Sequence, residues 1–339
     1  MASQAELTVG IVGASGYTGA ELLRLIAGHP NMTLAAATGD SMAGTRIADL
    51  YPSLALAYGD RTFDAYDPAA VAGVDIAFCG LPHGVSMGVV PDLLGRVGRV
   101  IDLGSDFRLK DPGLYPQWYG ADHTSPELLD RAVYGLPELY RNEIASAELI
   151  AATGCNAATT TLTLAPLLTA GLIEPDGIVV NLITGVSGAG RPPKPNTTFC
   201  TVDENVSAYG LLTHRHTPEI EQSIGLAAGG AASVLFTPHL APMSRGILST
   251  SYATPIGSPT TDEVLDTLAK TYADHPFVVV RDDPPGTKDT LGSNAAHVTA
   301  RVDPRTGHAV VICAIDNLGK GASGQALQCA NMLLDYPET

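Results

Sequence analysis

The sequence predicts an α/β protein in which a doubly wound parallel sheet is followed by an α+β domain with a mixed sheet. Three observations carry this reading. Short, mostly apolar runs alternate with helical segments through the first 150 residues, the pattern of parallel strands buried on both faces. A glycine-rich turn stands between the first such strand and the first helix. Beyond residue 155 several runs alternate in period two, as in a sheet with one solvated or interface face.

Residues 7–12 read as a buried strand, followed by a turn and a helix over 20–27 that Gly28-His29-Pro30 closes. Residues 32–37 form the second strand; 75–79 and 100–103 are further runs of parallel-sheet type, each ending in a loop. In such a sheet function is expected at the carboxyl ends of the strands. After Cys155 a helix is predicted over 159–169. Strand-like segments follow at 177–184, 232–237, 246–252, 277–280, 296–302 and 309–314. Residues 261–273 form a helix between two of these strands, and 321–334 a last helix with one apolar stripe.

Composition narrows the function classes. A chain of 339 residues, 45% hydrophobic and 16% charged, has room for two cores and no appreciable disordered part. The formal net charge of −16, with no Lys/Arg run, argues against a nucleic-acid partner. Five scattered cysteines without a CxxC pair suggest neither a disulfide framework nor a zinc site, and a reducing compartment fits them. No segment approaches ~18 consecutive apolar residues, so no membrane span is expected. With the first strand beginning near Leu7 there is no room for a signal peptide, and a cytoplasmic location is expected.

Chemistry concentrates in a few segments. Gly13, Gly16 and Gly19 have the GxxGxxG spacing that lets backbone approach a pyrophosphate, with the helix N-terminus to hold it. The second strand ends in Thr38-Gly39-Asp40-Ser41. An acidic residue there serves the ribose 2′-OH of NAD; Asp40 lies slightly late, and Ser41 and Arg46 suit a 2′-phosphate, which favours NADP over NAD. Cys155 follows a glycine at a helix start, where the partial positive charge favours thiolate; it reads as a nucleophile. Cys79, Cys313 and Cys329 lie in apolar strands or a helix and read as core. His214, Arg215, His216 and Glu219 fall within six positions, and one of the two histidines is expected to shuttle the proton of Cys155. Arg108 and Arg245 sit in turns from which a guanidinium could fork onto an anion.

Taken together, these segments resemble the N-acetyl-gamma-glutamyl-phosphate reductase family, within the wider aspartate-semialdehyde-dehydrogenase-like group. The resemblance rests on GASGYTGAELLRL, LPHG, DFRLKDP, YGLPELYR, the cysteine segment, SGAGR, HRHTPEI, FTPHLAPMSRGIL, GSNAAH and AIDNLGKGASGQALQ. It implies a Rossmann-like cofactor domain of residues 1–154 plus about 318–339, and a catalytic and dimerisation domain of 155–317. Subunits would pair through the middle domain's sheet as a homodimer or homotetramer. The resemblance makes Cys155 the nucleophile, His216 the acid/base residue, His214 a substrate-binding neighbour and Glu219 the group that orients the pair. Arg108, Arg245, Asn156 and Ser187 would face the substrate, a small-molecule acyl phosphate. Gly13, Ser15, Gly16, Tyr17, Thr18, Gly19, Ser41, Leu81, Pro82, His83 and Asn317 would border the cofactor.

One departure bears on the substrate. The family usually carries Gly-Cys-Tyr-Pro-Thr, whereas this chain has Gly154-Cys155-Asn156-Ala157-Ala158. Asn after the cysteine resembles the branch acting on glutamyl or 2-aminoadipyl phosphates attached to a small acidic carrier protein. The acetylated small molecule is the first expectation and the carrier-linked substrate the alternative.

Overall fold

The computed structural model describes residues 7–339, and the chain divides into two compact units. One runs to Thr153 and takes back Ala322–Glu338; the other is Gly154–Gly321.

The first unit holds β1 (Leu7–Val12), β2 (Met32–Thr38), β3 (Ile76–Cys79), β4 (Arg99–Asp102), β5 (Ala132–Gly135) and β6 (Leu149–Ala152). They form a six-stranded sheet in the order β2-β1-β3-β4-β6-β5, every pair parallel. Both faces are covered, and the two-residue period sorts the side chains. Val9, Ile11, Ile76, Phe78, Ile101 and Ile150 join one core cluster; Val12, Ala77, Cys79, Val100, Leu149 and Ala151 join the other. This is why the strands read as unbroken apolar runs. From β1 the chain adds β2 on one side and β3 on the other, so the carboxyl ends of β1 and β3 border the switch point of the sheet. The last helix, Gly324–Leu333, places Ala326, Cys329 and Ala330 in the first cluster. Ser323 Oγ donates to Thr18 O at 2.9 Å and fastens the start of that helix to this unit.

The second unit holds β7 (Ile178–Gly185), β8 (Ser207–Ala208), β9 (Val234–Ala241), β10 (Ile247–Ala253), β11 (Val278–Val280), β12 (Ala296–Val302) and β13 (Ala309–Ile315). The sheet order is β11-β12-β13-β10-β7-β9-β8, a mixed sheet with parallel β11/β12 and β7/β9 pairs. One face is covered by the helix Cys155–Thr169, buried from Asn156 through Leu168, and by its neighbours His216–Ala228 and Thr261–Thr271. Four threonines of the buried helix, Thr159, Thr160, Thr161 and Thr163, lie in the core. Thr159 and Thr160 satisfy their hydroxyls by donating to the carbonyls of Cys155 and Asn156, at 2.8 and 2.9 Å. Pro166 has no N–H for the carbonyl of Leu162, and the Tyr272 hydroxyl supplies that donor at 2.6 Å. On the other face Leu235, Tyr252 and Val279 stand exposed beside partly covered Val179, Ile183, Leu248, Val310 and Ile312.

Local chemistry explains where elements depart from the sequence reading. The first helix spans Tyr17–Ala27, three residues earlier than expected. Gly19 sits in its first turn because a Cβ there would lie 2.4 Å from Ala14 O, so the helix packs against the turn that precedes it. The cysteine helix begins at Cys155 itself, four residues early. A helix not foreseen, His216–Ala228, carries the histidine segment. A π-turn, Gly319–Ser323, precedes the last helix. Among the described residues no helix is long and apolar enough to cross a membrane.

Candidate active site

In the second unit Cys155 is the first residue of a fifteen-residue helix with no acidic side chain in its opening turn. The unpaired N–H groups of that turn present positive potential to the sulfur, which is half-buried. Burial instead pushes the Cys79 and Cys313 thiols up, Cys79 with help from Asp102, so those sulfurs stay protonated.

Two glycines let other groups close around Cys155. A Cβ on Gly154 would lie 2.4 Å from His216 Nε2 and 2.8 Å from a Glu219 carboxylate oxygen. The imidazole therefore occupies space that any other residue before the cysteine would fill. On the other side a Cβ on Gly321, within the π-turn, would lie 2.7 Å from Cys155 Cβ. Single π-turns of this kind recur at functional sites. Glu219 is fully buried and accepts the Gly154 N–H at 2.7 Å, tying the helix His216–Ala228 to the residue before the cysteine.

The two histidines differ. His214 Nδ1 accepts the His216 backbone N–H at 3.0 Å, which leaves the His214 proton on Nε2. Its ring meets Tyr209, His216 and Phe236 edge to face at centroid distances of 5.3, 4.8 and 5.3 Å. Burial, and then the neighbouring Arg215 charge, push its pKa down to about 4, so it is neutral near pH 7.

Asp316, which no sequence pattern marks as a site residue, is a fully buried hub. It receives Arg245 Nε at 2.9 Å and the N–H groups of Gly292, Leu318 and Gly319 at 2.7, 2.9 and 3.0 Å. Arg245 thus has its Nε fixed by a carboxylate while its side chain stays 23% exposed. Asn317 uses its side chain within the unit: Oδ1 accepts from Gly246 N at 2.8 Å and Nδ2 donates to Ser187 Oγ at 2.9 Å. It therefore joins the turns carrying Arg245 and Ser187. Asn156 is buried, with its Oδ1 3.6 Å from Cys155 Sγ.

The first unit carries the remaining candidates. Arg108 is buried and donates from Nε to Ala152 O at 2.8 Å and from Nη2 to Leu103 O at 2.9 Å. It clamps the carboxyl ends of two strands, one of them running directly into the cysteine segment. Gly13 has φ +86° and a Cβ there would lie 2.4 Å from Gly80 O, so only glycine fits between the ends of β1 and β3. The helix that follows has Gly16 at its N-cap, no side-chain cap and no acid in its first turn. Its amides and dipole suit a pyrophosphate. Asp106 accepts from Gly84 N, Ser86 Oγ and Met87 N at 2.9, 3.0 and 3.1 Å, and His83 Nδ1 bonds Ser105 Oγ. These bonds hold the Leu81-Pro82-His83 turn at the end of β3. Ser41 is exposed after β2, while Asp40 Oδ1 accepts from Tyr66 N at 2.7 Å. Arg46 pairs with Asp49 at 2.7 Å and Asp60 at 3.1 Å, both exposed contacts. Among the described residues no group of three or more His, Cys, Asp or Glu side chains is arranged to hold a metal.

A thiol at a helix start, a histidine packed against the glycine before it and a glycine-rich turn suited to a dinucleotide point to a semialdehyde-dehydrogenase-type oxidoreductase. Two family profiles match accordingly: "Semialdehyde dehydrogenase, NAD binding domain" over residues 8–147 and "Semialdehyde dehydrogenase, dimerisation domain" over 155–317. Solved structures agree on the fold. Aspartate semialdehyde dehydrogenase II from Vibrio cholerae superposes with a TM-score of 0.72 at 19% identity, covering 98% of this chain and 99% of its own. The Candida albicans enzyme with NADP gives 0.73 at 15%, covering 97% and 98%. Sequence relatives are more specific. N-acetyl-gamma-glutamyl-phosphate reductase of Symbiobacterium thermophilum is 48% identical over 98% of this chain and 96% of its own length. Those of Dehalococcoides mccartyi and Magnetococcus marinus are 47% and 46% identical, over 97% and 98% of this chain and 95% and 96% of their own. The chain belongs to the N-acetyl-gamma-glutamyl-phosphate reductase family. The carrier-linked alternative drawn from Asn156 is not favoured by these relatives.

Proposed function

We propose that the chain reduces N-acetyl-gamma-glutamyl phosphate to N-acetylglutamate semialdehyde in arginine biosynthesis, releasing inorganic phosphate, through a thioester on Cys155. The observation that carries this is the convergence on Gly154: its missing side chain admits His216 Nε2 beside the cysteine, and its N–H anchors Glu219. The relatives' shared name supplies the substrate.

The Cys155 sulfur attacks the acyl carbon and the C–O bond to phosphate breaks, with His216 taking the thiol proton. A nicotinamide cofactor, when bound, supplies the hydride that reduces the thioester carbon. His216 returns its proton to the developing oxyanion, and collapse of the thiohemiacetal releases the aldehyde and restores the sulfur. The first-turn amides of the cysteine helix suit that oxyanion. His214, neutral and fixed by its bond to His216 N, is a donor at Nε2 for substrate and not the proton shuttle. Arg245, held by Asp316, is read as the anion partner, with Ser187 and Asn156 bordering the substrate. Arg108 is assigned to positioning the strand end before Cys155.

The cofactor is assigned as NADP. Asp40, the carboxylate after β2, is turned onto Tyr66 N, while Ser41 and Arg46 remain exposed for a 2′-phosphate. Exposed ion pairs such as Arg46–Asp49 contribute little in water and yield readily to a phosphate. The cofactor is assigned to Gly13, Ser15, Gly16, Tyr17, Thr18, Gly19 and the Leu81, Pro82, His83 turn. The apolar open face of the seven-stranded sheet is assigned to self-association, and the enzyme to the cytoplasm.

The test is oxidation of N-acetylglutamate semialdehyde with NADP or NAD, with and without inorganic phosphate. Strict phosphate dependence and faster turnover with NADP are expected; phosphate-independent oxidation would indicate a hydrolytic aldehyde dehydrogenase instead.

A further inference from the structure

We propose that Asp102 is a positioning residue of the cofactor turn: it is kept as the neutral acid beside the Asp106 carboxylate, and its ionisation loosens segment 81–87, which Asp106 holds. The proposal deepens the assignment of the Leu81, Pro82, His83 turn to the cofactor and rests on it.

Asp102 ends β4 and Asp106 lies four residues on, both of them buried. The two border one small space. A Cβ on Gly104 would lie 2.6 Å from Ser86 Oγ and 2.9 and 3.2 Å from the two Asp102 oxygens. The same Ser86 Oγ donates to Asp106 Oδ2 at 3.0 Å. Donors are divided unequally between the carboxyl groups. Asp106 accepts from Gly84 N, Ser86 Oγ and Met87 N, and at 3.3 Å from Ser105 Oγ. Asp102 accepts the Gly104 N–H at 3.0 Å on Oδ1, while its Oδ2 is buried with no hydrogen-bond partner among the described residues. A buried carboxylate ringed by donors can hold its charge; one with a single donor, next to another carboxylate, is more stable as the acid. The pair therefore shares one charge, on Asp106, and one proton, on Asp102. Burial first, and Asp106 second, push Asp102 up to about 7, in the direction this division requires.

The other titratable and charged groups around the pair lie in the same unit. Cys79, the register partner of Asp102 on β3, stays protonated, and β6 presents Ala151. Arg108 favours the ionised form of Asp102. His83 bonds Ser105 Oγ, and His123 and the Tyr115 hydroxyl bond the Asp106 carbonyl, with His123 held neutral by its burial. Above neutrality Asp102 gives up its proton and two adjacent buried carboxylates repel each other. Asp102 is fixed in the strand ladder and Asp106 lies in a loop. The bonds that yield are thus those from Gly84 N and Met87 N to Asp106.

The experiment is a fluorescence titration of NADPH across pH on full-length wild type and Asp102→Asn, with infrared spectra of the acid carbonyl and hydrogen exchange of segment 81–87. In wild type Kd is expected to rise about tenfold between about pH 6.5 and 8, as the binding-competent population falls. Asn, a neutral isostere, should remove that rise. The infrared band of a protonated acid is expected in wild type, fading through neutrality, and absent from the variant. Exchange of 81–87, corrected for its intrinsic rate, should quicken over the same range in wild type, a readout that stands even if Asp102→Asn does not fold. Parallel affinity curves for the two proteins, no fading acid band in wild type, or exchange without a step would each overturn the proposal. Failure of the parent reading looks different: neither NADPH nor NADH would saturate wild type at any pH, with the acid band and the exchange step intact.

Discussion

The buried carboxylate of Glu219 accepts the backbone N–H of Gly154 at 2.7 Å. Sixty-five positions separate the two in sequence, and the bond ties the histidine helix to the residue before the cysteine helix. Replacing Glu219 by Ala leaves a buried N–H without its acceptor and loosens His216. A loss in kcat of about 10²-fold is expected, the order that a 1 Å misplacement costs. Glu219→Gln keeps an oxygen acceptor, so steady-state kinetics should show it the milder of the two.

The two close-packed glycines give a sharper test. Gly154→Ala would place a methyl 2.4 Å from His216 Nε2, and Gly321→Ala one 2.7 Å from Cys155 Cβ. Each should lower kcat by about 10²-fold or more. Circular dichroism and melting temperature, measured alongside, separate a catalytic loss from a folding one, because the Gly321 methyl would also lie 3.3 Å from the buried Ile315 Cδ1. Near-wild-type turnover in either would mean that the close approach has no catalytic purpose.

His214 and His216 should separate kinetically. His216→Asn should lose about 10²–10⁴-fold in kcat, the range for removal of a general acid–base. His214→Asn should act mainly on KM, because its imidazole, held down to about 4, carries no exchangeable charge near neutrality. Measuring kcat and KM for both variants decides the assignment, and the reverse pattern would exchange the two roles.

A pH dependence of stability follows from two buried groups. Burial first, and Asp106 second, push Asp102 up to about 7. The folded state then binds a proton that the unfolded state releases, so this residue's contribution falls as pH rises from about 4 to 7. His214 works in the opposite sense. Its folded value of about 4 lies below the unfolded 6.5, so its contribution is lost as pH falls through that window. The two partly offset each other between pH 4 and 6.5. Asp102→Asn should expose the His214 slope as a steeper loss of melting temperature on acidification; unchanged pH dependence would contradict it.

How far the molecule could be read from its sequence depends on the range of the contacts involved. The parallel sheet was legible because burial on both faces leaves short apolar runs, and the cofactor turn because Gly13 and Gly19 answer local steric needs. Residues 296–302 matched β12 at both ends. The helix starting at His216 was not legible: it has no side-chain cap, and its signal is split between Pro218 at its third position and apolar residues beyond. Glu219 on Gly154 and Asp316 as the holder of Arg245 are contacts between distant segments. Nothing in spacing or periodicity marks them. Arg108 and Asn317 show the converse: a sequence pattern names them, while the structure shows their polar atoms engaged with backbone and neighbouring turns.

The most direct test of the account is to trap the acyl-enzyme. The protein would be mixed with N-acetyl-gamma-glutamyl phosphate without nicotinamide, quenched in acid and digested for mass spectrometry. An N-acetylglutamyl adduct on the peptide containing Cys155, formed with release of one phosphate and lost on addition of NADPH, is the predicted result. An unmodified Cys155 peptide together with full turnover by Cys155→Ser would contradict it.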